Sequence, residues 1–244
     1  MLVTGGSRGI GAAVALQAAA AGYRVAVNYA SNAEAAENVV RTIEAAGGEA
    51  FAIQGDVSSE TNVIYMFAEL DRRFGRLDAL VNNAGVVDRK ARLDHMDAGR
   101  FERMLRINVL GPLICSREAV KRMSPLHGGT GGAIVNVSSI AAILGGPGEY
   151  VDYAASKGAI DSFTRGLARE VATENIRVNA VRPGIIDTEI HASGGQPDRV
   201  AAMRSLVPMK REGTADEVAA TILWLLSDAA SYVTGAVIDV SGGR

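Results

Sequence analysis

The chain is poor in the residues from which several kinds of function are built. Its 244 residues include one cysteine and three histidines. A lone Cys115 cannot close an internal disulfide, which fits a reducing compartment. Its setting in NVLGPLICSREAV is apolar, as expected of a buried structural thiol rather than a nucleophile. His95 and His127 fall in expected loops with no spacing that brings carboxylates to them, so no metal site is expected. Neither sign of charge prevails: 25 Lys and Arg stand against 27 Asp and Glu, a formal net charge of -2. That balance gives no reason to expect nucleic acid or an anionic membrane surface as a partner. No apolar run reaches the roughly 20 residues needed to span a bilayer. The alanine-rich stretch from Ala12 to Ala21 behind Arg8 imitates a secretory leader. Gln17 interrupts it, however, and cleavage there would remove a glycine motif, so the expected location is cytoplasmic. Repeats, linkers and low-complexity tails are also missing.

What is present is an alternation. With 48% hydrophobic and 21% charged residues, the chain has the composition of a globular protein with one well-buried core. Short apolar runs appear at Leu2 to Thr4, Arg24 to Tyr29, Ala50 to Asp56, Ala79 to Ala84, Ala133 to Ser139, Ile176 to Pro183 and Ala236 to Val240. Between them, helical periodicity predicts helices over Glu34 to Ala46, Glu60 to Phe74, Phe101 to Met123, Tyr153 to Ala172 and Asp216 to Leu226. Continuous apolar strands separated by helices imply a parallel sheet covered on both faces. The expected fold is α/β, a doubly wound Rossmann-type parallel sheet in three αβα layers, with ligands beyond the carboxyl ends of the strands. Residues 1–244 are expected to form a single dinucleotide-binding domain. A mixed segment of glycine, charge and apolar residues over about 185–213 is expected to act as a substrate lid. The first strand, Met1 to Thr4, is unusually short for a central strand.

TGGSRGIG puts Gly5, Gly9 and Gly11 after that first strand and at the mouth of the first helix. Glycines let the backbone turn tightly and approach a pyrophosphate, and the helix N-terminus offers free N–H groups and positive dipole. The spacing is a variant of the dinucleotide fingerprint. An acid at the end of the second strand would bind the ribose 2′-hydroxyl of NAD and repel a 2′-phosphate. Here the strand ends in VNYASN, with Tyr29 at that place and no acid before Glu34. Arg8 inside the glycine loop suits a 2′-phosphate, with Ser7 and Ser31 adding neutral hydrogen bonds. The expectation is NADP(H) in preference, with NAD(H) possible.

Tyr153 and Lys157, in YAASK, stand four residues apart and so share a helix face. A neighbouring ammonium favours the phenolate, which brings a tyrosine toward the range where it trades protons. Ser139 closes an expected strand and Tyr153 opens the next helix, so both reach one cleft. TGGSRGIG, NNAG (Asn82 to Gly85), Asn108, VSS (Val137 to Ser139), YAASK and RPG (Arg182 to Gly184) occur in this order along essentially the whole chain. In this ordered set the chain resembles the short-chain dehydrogenase/reductase family in its compact form.

The resemblance implies roles residue by residue. Tyr153 corresponds to the general acid/base, and Lys157 to the lysine that lowers the phenol's pKa and binds the nicotinamide ribose. Ser139 corresponds to the serine that hydrogen-bonds the reacting oxygen, with Ser138 pointing to the opposite face. Asn108 corresponds to the asparagine that holds a water relay behind the lysine. Cofactor contacts are implied at Gly5, Ser7, Arg8, Gly9, Ile10 and Gly11, and at Asn28, Tyr29, Ala30 and Ser31. Further contacts are implied at Asp56 and Val57 beside adenine, at Asn83, Ala84 and Gly85, at Pro183 and Gly184, and at Ile186 and Thr188 near the carboxamide. The substrate pocket is expected from Ile140 to Asp152 together with the lid, where Glu189 and His191 stand out as tempting ligands. The expected substrate is a small ketone, aldehyde or sugar-like polyol. Reduction of a 3-oxoacyl carrier protein is disfavoured by HGGTGGA and Glu174, which stand where basic residues would meet an acidic carrier, although Lys121 and Arg122 are not far away. A nucleotide sensor without chemistry need not retain Asn108, Ser139, Tyr153 and Lys157 together. Relatives pair through helices corresponding to Phe101–Met123 and Tyr153–Ala172, which implies a homotetramer.

Overall fold

The structure is a computed structural model, which describes residues 1–189, 194–196 and 198–244. Seven parallel strands form one sheet in the order β3-β2-β1-β4-β5-β6-β7. They are β1 (Leu2–Val3), β2 (Val25–Tyr29), β3 (Ala50–Gln54), β4 (Ala79–Asn82), β5 (Gly132–Val137), β6 (Ile176–Pro183) and β7 (Val237–Val240). β1 keeps only two residues, yet it pairs on both sides, Leu2 with Ala26 and Leu80, Val3 with Val27 and Val81.

The continuous apolar runs are explained by the two layers they serve. Val3, Val27, Val81 and Val135 face a core completed by α1 (Gly9–Ala20), α2 (Ala33–Ala45) and the last long helix. Their neighbours Leu2, Ala26, Leu80 and Ile134 face the opposite core, with Phe67 and Leu70 of α3 (Glu60–Phe74) and Cys115 and Met123 further along. Alternating side chains therefore find apolar partners on both faces, so the strands show no polar alternation.

The expected single helix over Phe101 to Met123 is three pieces. α4 (Ala98–Leu105) runs into a five-residue π-helical turn, Arg106–Leu110, and then into α5 (Gly111–Met123). Residue periodicity does not reveal one inserted residue in a helix, whereas the backbone does. A short α6 (Ala141–Leu144) precedes α7 (Val151–Glu170), the helix that carries Tyr153 and Lys157. α8 (Arg199–Met203) and α9 (Ala215–Leu226) follow. α9 begins with a complete capping box between Thr214 and Glu217.

The sheet order reverses between β1 and β4, and the crevice opens there at the carboxyl ends of the strands. Thr4 pins the two strand ends together. Its hydroxyl accepts from the N–H groups of Asn83 and Ala84, each at 3.0 Å.

Candidate active site

One cavity of about 1080 Å³ runs along the carboxyl ends of the strands. Its phosphate end is made by the turn from β1 into α1. Gly5 (φ +60°) and Gly9 (φ +52°) adopt the left-handed conformation that side chains disfavour. Arg8, the residue before α1, is extended and caps nothing with its side chain, so the helix's first N–H groups remain available to an anion. Arg8 itself is exposed, with no hydrogen-bonding or ion-pairing partner among the described residues.

Gly5, Ser7, Arg8, Gly9, Ile10, Asn28, Tyr29, Ala30, Ser31, Asp56, Val57, Asn83, Ala84, Gly85, Pro183, Gly184, Ile186 and Thr188 all line this cavity. Gly11 does not, and its role differs from the expected contact. A Cβ there would lie 2.3 Å from the Gly5 carbonyl oxygen and 2.5 Å from Asn83 Nδ2, so the glycine lets α1 approach the loop. Asn28 reaches the wall, but its amide is occupied. Oδ1 accepts from Gly5 N–H at 3.1 Å, and Nδ2 donates to the Gly55 carbonyl at 2.9 Å. The residue therefore ties β2 and the end of β3 to the glycine loop. Asn83 does the same from the other side, donating to the carbonyls of Thr4 and Gly5 at 3.0 and 2.9 Å.

These features fit a dinucleotide. A cradle of glycine backbone lies at a free helix N-terminus, and at the end of β2 Tyr29, Ala30 and Ser31 present no carboxylate. The 188–189 segment lies over the loop. A Cβ built on Gly9 would meet Thr188 Cγ2 at 3.3 Å and Glu189 Oε2 at 3.7 Å. Glu189 is thus at the glycine-loop end rather than among the substrate-pocket residues. His191 lies outside the described residues.

Ser139, Tyr153 and Lys157 line the same cavity. Ser139 stands just past β5, two residues beyond its end, and its Oγ accepts from Ala141 N–H at 3.1 Å. Ser138 faces the other way, as expected, donating to the Lys157 carbonyl at 3.1 Å. Lys157 Nζ lies 5.6 Å from the Tyr153 ring centroid and donates to the Val137 carbonyl at 2.8 Å. An ammonium has three donors, so two remain for the cavity.

Burial acts on both groups. It pulls the Lys157 ammonium down to about 8, with the nearby Asp161 charge opposing. It pushes the Tyr153 phenol up, with the Ser139 side chain opposing. Desolvation here outweighs the attraction to the lysine that the i, i+4 spacing suggests.

Asn108 sits in the middle of the π-helical turn and is fully buried. Its Oδ1 accepts from Val86 N–H at 2.8 Å, and its Nδ2 donates to the Val86 carbonyl at 2.9 Å and to Ser156 Oγ at 3.1 Å. Both ends of the amide are engaged by protein. The side chain does not line the cavity; it fixes the loop after Gly85 and docks it on α7, whose Ser156 immediately precedes Lys157.

Sequence reasoning missed Val86, Arg103 and Arg244 in the lining. Arg103, Arg199 and Arg244 are in the cavity wall, together with Val86, Met203 and Leu206. Arg199, Met203 and Leu206 lie in the segment expected to line the substrate pocket, whereas Val86, Arg103 and Arg244 belong to no expected part of it. Arg199 bonds Glu149 Oε2 at 2.8 Å and stands 4.9 Å from the Tyr150 ring centroid. The ends of the segment expected to act as a lid are joined, with Gly213 N–H donating to the Ile185 carbonyl at 2.9 Å and Asp187 N–H to that of Gly213 at 3.0 Å. No group of three or more His, Cys, Asp and Glu among the described residues could hold a metal ion. No described helix is long and apolar enough to cross a membrane.

A family model described as Enoyl-(Acyl carrier protein) reductase matches residues 5–244. The chain belongs to the short-chain dehydrogenase/reductase family. It is 58% identical over 243 residues to the Uncharacterized oxidoreductase YgfF of Escherichia coli strain K12, covering 100% of this chain and 98% of that one. It is 40% identical over 242 residues to the 3-oxoacyl-acyl-carrier-protein reductase FabG of Staphylococcus aureus strain Mu50, covering 99% and 96%. A crystal structure of a short chain dehydrogenase from Burkholderia cenocepacia J2315 in complex with NADP superposes with a TM-score of 0.91 at 36% identity, covering 99% and 96%. This short-chain dehydrogenase/reductase is therefore an NAD(P)-dependent oxidoreductase with the Rossmann-type sheet expected from its strand pattern.

Proposed function

We propose that the protein is an NADP(H)-dependent reductase that interconverts a carbonyl and an alcohol on a small free substrate. The observation that carries this reading is one cavity holding an uncapped helix N-terminus, an unpartnered Arg8, and Ser139, Tyr153 and Lys157. NADP(H), when bound, supplies or accepts the hydride. The chain's own residues do the rest. Ser139 and the Tyr153 hydroxyl donate hydrogen bonds to the carbonyl oxygen, and Tyr153 gives that oxygen its proton as negative charge develops there. Lys157 keeps a positive charge beside the phenol and offers its two free donors to ribose hydroxyls. Asn108 positions Val86 and α7, and any water relay behind the lysine rests on the main chain of the π-helical turn. The single domain closes over its substrate with the segment 185–213.

Arg8 supports NADP(H) over NAD(H), since a guanidinium pairs with a 2′-phosphate and no carboxylate at the end of β2 binds a 2′-hydroxyl. The NADP complex of the Burkholderia relative is consistent with this preference. Arg8→Glu is expected to weaken NADPH binding about a hundredfold while changing NADH binding far less. Equal affinity of the native protein for both would defeat the preference.

A second reading, reduction of a 3-oxoacyl group on a carrier protein, draws on the Staphylococcus relative. Lys121 and Arg122, basic residues in the last turn of α5, are engaged by Glu118 and Asp71. That leaves them poorly placed to meet an acidic carrier, and a free substrate is favoured. Exposed Ile64, Tyr65, Leu105 and Leu110 on α3, α4 and the π-helical turn support self-association as a homotetramer, testable by light scattering.

The deciding experiment measures NADPH oxidation, with NADH in parallel, against ketones, aldehydes, diketones, sugars and acyl thioesters. Turnover of a free carbonyl compound supports the proposal. Tight NADPH binding with no turnover of any member would favour a nucleotide sensor instead.

A further inference from the structure

Three cations and one carboxylate meet at the substrate side of the cavity. Glu149 is held by Lys90 Nζ at 2.8 Å and by Arg199 Nη2 at 2.8 Å. Arg199 is further fixed by Gln196 Oε1 at 2.9 Å and by the face of Tyr150, so it is an oriented group rather than a loose surface charge. One carboxylate thus already answers two cations. Arg244 then lines the same cavity, half-buried, and no group among the described residues hydrogen-bonds or ion-pairs with its guanidinium.

The charges that Arg244 feels are Arg199, which disfavours its own charge, and Glu149, which favours it. A cation partly desolvated beside another cation is an unfavourable arrangement unless an anion joins it. The one side-chain carboxylate among the described residues that acts on it is shared between two other partners. The other lining pair nearby, Arg103 with Asp88, is self-contained. The remaining wall is apolar, with Ile140, Leu144, Met203 and Leu206 lining the cavity that also holds Ser139 and Tyr153.

We propose that the substrate is an oxo acid, or in the reverse direction a hydroxy acid, whose free carboxylate is bound by Arg244 beside Arg199. The proposal rests on the carbonyl-reductase reading for its carbonyl end and adds the recognition of the other end. The carbonyl occupies the Ser139–Tyr153 end, an apolar segment of the substrate lies on the Leu206 wall, and the carboxylate pairs with the Arg244 guanidinium. The carboxylate takes no part in bond making; it sets register and excludes neutral analogues. A sugar-like polyol would place its hydroxyls against those aliphatic side chains. A carrier-bound thioester has no free carboxylate to offer Arg244.

The test separates binding from turnover. Equilibrium binding to the NADP-loaded protein is measured for aliphatic oxo acids of graded length, each against its methyl ester and against the matching oxo phosphate monoester. NADPH oxidation is measured on the same panel. Native protein is compared with Arg244→Met and Arg244→Lys. The expected result is that some acid binds roughly tenfold or more tightly than its ester, as a charge-assisted hydrogen bond implies. That ratio should fall toward one in Arg244→Met and recover in part in Arg244→Lys.

Acids and esters that bind equally in the native protein would overturn the proposal, as would an acid-to-ester ratio that survives Arg244→Met. Phosphates that outbind every carboxylate would overturn the choice of anion. If esters are reduced as well as acids, the carboxylate site fails while the reductase reading stands. If acids bind selectively through Arg244 but nothing is reduced, the site stands and the reductase reading fails.

Discussion

Lys157 carries a cost that can be measured. Burial lowers its pKa from 10.5 to about 8, so the folded protein holds the proton less tightly than the unfolded chain does. Below pH 8 both states are protonated, and the folded state bears the whole penalty of an ammonium in a desolvated place. Between about 8 and 10.5 the folded lysine has released its proton while the unfolded one has not, so stability rises with pH through that window. A shift of this size corresponds to about 3 kcal/mol at pH 7, falling to about 1 kcal/mol at pH 10.

Lys157→Met removes the titration and keeps most of the aliphatic bulk. It also leaves the Val137 carbonyl without its 2.8 Å donor, a loss of about 1–3 kcal/mol that does not vary with pH. The net change at pH 7 is therefore small and either sign is allowed. The informative quantity is the difference in unfolding free energy between variant and native protein as a function of pH. In cofactor-free denaturant titrations that difference should move by about 2.5 kcal/mol in favour of the native protein from pH 7 to 10, because only the native chain sheds the penalty. A flat difference across this range would refute the reasoning, since Lys157 would then titrate alike in both states.

Two further outcomes are expected. Arg100 donates to both oxygens of Asp152, at 2.7 and 3.1 Å, in a buried pair that joins α4 to the first turn of α7. Arg100→Met should cost about 3–5 kcal/mol by stranding the carboxylate, seen as a fall in Tm of about 10 °C, while a double Arg100→Met, Asp152→Leu variant recovers much of it. Cys115 is buried with its thiol pushed up to about 12 by desolvation, so alkylation at pH 8 should proceed only at the rate of unfolding and accelerate with denaturant.

Much of the fold was legible because strand and helix patterns are local. Glu60 to Phe74 was readable as a helix from its apolar spacing, and Ser59 and Gly75 cap it in the structure. The doubly wound sheet followed from apolar runs that need cover on both faces. The π-helical turn at Asn108 was not legible, since one inserted residue barely disturbs periodicity over twenty residues, yet it places the buried amide where Val86 and Ser156 can use it. Gly11 and Asn28 show a different limit. Both belong to the cofactor end of the sequence, but only three-dimensional packing reveals that they hold the loop's shape rather than offer polar groups to a ligand. The substrate side was the least legible. Arg103, Arg199 and Arg244 come from separate parts of the chain, and no local pattern announces that they share a wall.

The central claim is that Tyr153 moves the proton at a carbonyl oxygen bound beside Ser139. It is tested most directly by single-turnover NADPH oxidation in the Tyr153→Phe variant, on a carbonyl compound that the native protein reduces. The account predicts a loss of about 10²–10⁴-fold in the chemical step, with NADPH still bound and the pH dependence of the residual rate abolished. A variant that reduces the same compound at a rate within a few-fold of native would contradict it.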